Sequence, residues 1–184
     1  MTKTKIPIKN VLKEVYKQKG FPTGPFNACL TCKCGQNALG AACCKYGVYI
    51  DKESYDHIIK HKKYFEKKIG IKMEEFFDKR WSKDPEYLGG KPIGTRVINK
   101  SCSFRSPSGQ GCEIVSLVFK KNLPKRMIPS ACRIYPITWD KGIMCLEKIK
   151  KNCVCIDKNH KTKKSIYQTQ KKEIEDIFCF TNKL

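Results

Sequence analysis

The sequence predicts an α+β fold, a helix-rich small domain with long metal-stapled loops and a few short strands. Three observations lead there. A few segments carry apolar residues at helical spacing, several short apolar runs punctuated by Gly and Pro suit strands, and twelve of the 184 residues are cysteine. Five of the twelve fall in one stretch: Cys29, Cys32, Cys34, Cys43 and Cys44. The residues between them (Gly35, Ala38, Gly40, Ala41, Ala42) are too small to build a core, so the stretch needs another means of support. The chain divides into an N-terminal helix and lead-in (1–28), a cysteine-cluster domain (29–157) and a basic C-terminal extension (158–184).

Taken in order, Ile8, Val11, Leu12, Val15 and Tyr16 predict an amphipathic helix over 8–19, stopped by Gly20 and Pro22. Tyr46 to Ile50 reads as a short strand. Asp51 then suits the N-cap of a helix of about eighteen residues, with Glu53 in its first turn and Gly70 just past its end. Met73, Phe76 and Phe77 predict a second short helix reaching Trp81. Residues 84–95, with two prolines and three glycines, predict a loop, and Thr95 to Asn99 a strand. Cys112 to Phe119 fits helix or strand equally, and Lys171 to Phe180 predicts a last helix.

The formal net charge is +21, carried mostly by Lys, with Arg only at 80, 96, 105, 126 and 133. Because the charge is spread along the whole chain and Arg is scarce, base-specific readout is poorly supplied. What remains is a solvated surface able to make non-specific contact with nucleic acid or acidic protein. No stretch approaches the roughly 20 apolar residues of a membrane span, and the first residues lack the apolar run of a signal peptide. The expectation is a cytoplasmic protein without a membrane partner. In a reducing compartment, dense cysteines point to metal rather than disulfides. Adjacent Cα atoms, about 3.8 Å apart, also sit too close for a relaxed Cys43–Cys44 disulfide.

Cys29-x2-Cys32 is a chelating spacing, because a tight turn lets both sulfurs reach one ion. Cys102-x9-Cys112 brackets a turn-forming Ser/Pro/Gly segment that returns the two sulfurs to each other. Cys132 follows in Pro129-Ser-Ala-Cys132-Arg133-Ile-Tyr135-Pro136, where the prolines stiffen both flanks and Arg133 is placed to hydrogen-bond a thiolate or a carboxylate. Phe104, Tyr135 and Trp139 suit core packing, or packing over the metal loops, better than base stacking. His57 and His61, four apart, fit a solvated helix face, and His160 carries no assignment.

The order Cys-x-x-Cys, Cys43-Cys44, Ser101-Cys102-Ser-Phe104, Gly111-Cys112-Glu-Ile114 and Pro129-x-x-Cys132-Arg133-x-Tyr135-Pro136 resembles the YkgJ-type cysteine-cluster family, across residues 29–155. That family is described as a zinc- or iron-chelating domain. The resemblance implies metal binding by Cys29, Cys32, Cys43, Cys44, Cys102, Cys112 and Cys132, with Cys153 as an eighth ligand. The chain departs from the family in placing eight residues between Cys34 and Cys43, so that Cys32 and Cys34 are rival ligands. Cys145 and Cys155 exceed the pattern.

All-thiolate sites suit zinc, iron or an iron–sulfur cluster. The functional expectation is a metal-chelating protein. One alternative, implied by the resemblance, is an iron–sulfur-dependent protein lysine N-methyltransferase of the flagellin-methylase kind. The other is a zinc-dependent nucleic-acid binder. The chain has no glycine-rich phosphate loop, no Gly-x-Ser-x-Gly and no telling carboxylate pair, so no catalytic residue is assigned and an enzyme is the lesser expectation.

Overall fold

The computed structural model describes residues 5–20, 29–30, 43–147 and 162–181. It is a mixed α+β architecture of short strands and six helices of five or more residues among the described residues. Cys32, Cys34, Cys153 and Cys155 lie outside the described residues, as does the side chain of Cys43.

The predicted helix over 8–19 is replaced by three shorter elements. Strand β1 (Ile6–Ile8) and strand β2 (Asn10–Val11) precede helix α1, which covers only Lys13–Lys17. Alternation explains the change. Ile6 and Ile8 are buried while Pro7 between them is exposed, the two-residue period of a strand. Val11 and Val15 are also buried.

Strand β3 (Tyr49–Ile50) pairs antiparallel with β4 (Ile93–Gly94), at the end of the predicted loop. The long helix forms but breaks at His61, whose φ of −111° interrupts it, giving α2 (Lys52–Lys60) and α3 (Lys62–Ile69). Gly70 closes α3 in the left-handed conformation, as its position predicts. Asp51 holds the N-cap position of α2 but makes no side-chain cap. Its fully buried carboxylate accepts from Leu88 N and Ser130 N, both at 3.0 Å, and so stitches two later segments together.

The helix predicted after Met73 shrinks to a single 3₁₀ turn, Met73–Glu75, with Phe76 and Phe77 buried behind it. Strand β5 (Val97–Ile98) pairs antiparallel with β6 (Ser101–Cys102). The undecided segment is a helix, α4 (Glu113–Lys121), and α5 (Ser130–Ile134) carries Cys132. A hairpin of β7 (Ile137–Asp140) and β8 (Ile143–Leu146) follows, and β2 adds to it in parallel. The last helix, α6, spans Ile166–Ile177, earlier than predicted, because Ser165 and Gln168 form a reciprocal capping box. The chain then turns into β9 (Phe178–Phe180), parallel to β1.

Two buried clusters result. One gathers Ile6, Ile8, Val15, Ile134, Met144, Ile174 and Phe178, so residues read as a lead-in and as a basic extension share one core. The other gathers Ile50, Ile58, Phe65, Phe76, Phe104, Ile114 and Val118, and the cysteines pack against it. Among the described residues no helix is long and apolar enough to cross a membrane.

An ionic seam joins the clusters. Arg133, 3% exposed, donates through Nε to Glu173 Oε2 at 2.7 Å and through Nη2 to Glu173 and to Asp176. Arg126 donates to Glu53 Oε2 at 2.8 Å and to Asp176 Oδ1 at 2.7 Å. Burial pushes the Asp176 carboxyl up, but hydrogen bonds and charge from Arg126 and Arg133 outweigh it and hold it below its ordinary value. A depressed folded pKa gives stability that is present above the unfolded value, about 4, and is lost as the pH falls through the folded value. Unfolding in urea should therefore become easier below about pH 4, and Asp176→Asn should flatten that dependence.

Candidate metal centre

Cys29, Cys102, Cys112 and Cys132 pack against the second cluster, and Cys44 joins them at its edge. Cys29 sits in a helical turn at 29–30, and Cys44 in the 3₁₀ turn Cys43–Lys45. Cys102 is brought in by the β5–β6 pairing, opposite Val97. Cys112 occupies the N-cap position of α4, and Cys132 is the third residue of α5, whose N-cap is Pro129. Cys44, Cys102, Cys112 and Cys132 line one small cavity of about 30 Å³, closed by Val48, Thr95, Phe104, Ile114, Ile128 and Pro129. That is the space of a single water molecule or ion.

Burial pushes the Cys102 thiol up to about 11, with the Cys44 sulfur adding to the effect. Cys112 and Cys132 are driven well above the ordinary thiol value, first by burial and then by Cys44, Cys102 and Cys29, with Cys112 adding to the effect on Cys132. Crowded thiolates repel each other in a water-poor space, so the group holds protons until something positive replaces them. Opposing this, hydrogen bonds from Thr95, the Phe104 backbone and Ser103 favour the Cys102 thiolate, and one from the Val115 backbone favours that of Cys112. Thr95 Oγ1 accepts from Val48 N at 2.8 Å and from the Cys102 thiol at 3.4 Å.

Among the described residues, no group of three or more His, Cys, Asp or Glu side chains is arranged to hold a metal ion as it stands. The sulfurs converge without closing a coordination shell. Their chemistry nonetheless fits zinc or iron. The donors are soft sulfur, the wall is apolar, and hydrogen-bond donors stand behind two of the thiolates. Magnesium and calcium, which take oxygen, do not fit. Cys102, Cys112, Cys132, Cys145 and Cys179 are free thiols.

Gly111 fixes the approach of Cys112. Its φ is +82°, and a Cβ there would stand 2.7 Å from the Leu30 carbonyl and 3.1 Å from that of Cys29. Gly111→Ala is expected to cost more than about 1 kcal/mol from the left-handed backbone alone, and to part Cys29 from Cys112. Chemical denaturation and metal content, measured together, check this.

Cys145 and Cys179, which the sequence did not assign to the site, stand apart from it. Cys145 faces Thr138 in the β7–β8 hairpin and takes its electrostatic influence from Glu14, Glu147 and Asp140, while Cys179 is exposed on β9. Arg133 resolves to carboxylates rather than to a thiolate. All three aromatics serve in packing, Phe104 on the wall of the cavity and Trp139 and Tyr135 against the other cluster. Thr95 had no signal in the sequence, since only strand register brings it beside Cys102.

Comparison with protein-family models, with curated proteins and with solved structures finds no match. Fold and site define a small α+β domain bearing a buried thiol cluster.

Proposed function

We propose that the protein is a thiolate metal chelator that binds zinc or iron through Cys44, Cys102, Cys112 and Cys132, with Cys29 beside them. Cys32, Cys43 and Cys153 belong to the same proposal on the sequence pattern alone. One observation supports it above the others: four sulfurs from distant segments line one ion-sized cavity. Buried cysteines can also act as small apolar groups. That accounts poorly for thiols gathered from four separate segments onto one cavity. The resemblance to the YkgJ-type family points the same way, as does a reducing cytosolic setting, which keeps thiols free. A single ion suits a cavity of this size.

Elemental analysis of protein purified anaerobically tests the reading. We expect at least one zinc or iron per chain, colourless in the first case and brown in the second if the iron is in a cluster. Protein free of both metals, and unable to take either up when reduced, would overturn it.

A further inference from the structure

A second cavity, of about 230 Å³, lies on the other side of Cys112. It is smaller than the roughly 300–1,000 Å³ of drug-sized sites and is lined largely by polar groups. Lys68 comes from α3, Lys120 and Glu113 from α4, and Ser106, Ser108 and Gln110 from the loop that leads into α4. Glu113 is only 3% exposed, and its carboxylate accepts from Tyr64 Oη at 3.1 Å. Among the described residues no cationic side chain pairs with it, and only the N-terminal amides of α4, in whose first turn it stands, favour its charge, whereas the buried Glu173 has both Arg133 and Lys125. A carboxylate withdrawn from water without a counter-charge is costly, and such groups ordinarily have a cation or a metal beside them. Lys68 and Lys120, both exposed, are in no ion pair among the described residues. The cavity thus combines one buried negative group with two unpaired positive ones. A phosphate would suffer repulsion from Glu113, and a metal ion would find one carboxylate among lysines.

We propose that this cavity binds a free α-amino acid, its ammonium on Glu113 and its carboxylate on Lys68, Lys120 and the loop donors. The site stands independently of the metal reading, although Cys112 borders both cavities.

The test uses the protein as purified. Each of the twenty standard amino acids is titrated by calorimetry, and any that binds is repeated as its amide and as its des-amino acid. At least one is expected to bind more tightly than about 1 mM. Both analogues, and Glu113→Gln, should bind about tenfold or more weakly than the parent with the native protein. Lys68→Ala with Lys120→Ala should weaken binding of the parent but not of the amide. The absence of saturable binding by all twenty overturns the proposal. So does a des-amino acid or an amide that binds as well as its parent, a comparison on the native protein that holds even if the Glu113 variant fails to fold. Metal content measured in the same samples keeps this result separate from loss of the thiol centre.

Discussion

On the proposed function, removing the metal, or replacing Cys112 and Cys132 together with serine, is expected to lower the thermal midpoint by about 10–20 °C, equivalent to some 5 kcal/mol. Structural zinc contributes about 10–16 kcal/mol in peptides that have little else to fold around. Here Phe65, Phe76, Phe104 and Ile114 form a cluster beside the sulfurs, so part of the structure should survive as a less cooperative state. The loss should fall on the elements that carry the thiols: the Cys43–Lys45 turn, β6, and the starts of α4 and α5. Circular dichroism with and without a chelator, at matched ionic strength, measures it. Cys145→Ser and Cys179→Ser serve as controls and should keep the full metal content. A Cys112/Cys132 variant melting as the native protein does would mean that these sulfurs are ordinary core.

The second large effect belongs to Arg133. Arg133→Ala should cost about 3–5 kcal/mol, because it leaves Glu173 buried with only Lys125 and removes one of the two arginines on Asp176. The damage should reach the thiol centre, since Arg133 follows Cys132 on the same short helix and ties it to α6. Weaker metal retention alongside lower stability is the expected signature in urea unfolding and elemental analysis. Replacing Arg133 and Glu173 together by Met and Leu should recover much of the stability, because a buried ion pair contributes little beyond an apolar pair of similar volume.

The thiol centre was the more legible part of this chain. Cysteines are rare enough that their spacing carries information over long distances, and Cys102, Cys112 and Cys132 each had turn-forming or proline-stiffened flanks. The fold was less so, for reasons visible at particular residues. Ile8, Val11, Leu12 and Val15 satisfy a helical period, yet Ile6 and Ile8 also satisfy a strand's, and the partner that decides between them lies far away in β9. Ser165-Ile-Tyr-Gln168 is a capping-box pattern that marks the start of α6, a local signal the apolar spacing alone overlooks. Asp51 reads as a helix cap because its neighbours are helical, but two distant backbone amides compete for its oxygens and win. The break at His61 has no Pro or Gly to announce it.

The parallel register of Ile6 with Phe178 and Ile8 with Phe180 sets an order of assembly. A strand that must wait for one about 170 residues downstream closes a very long loop, and closures of that kind are slow. During synthesis the sulfur-bearing portion can gather its own partners early, while Ile6 and Ile8 stay without theirs until the final helix has left the ribosome. For that interval an apolar edge lies open to neighbouring chains, so trimming back residues 178–180 should favour clumping over clean loss of shape.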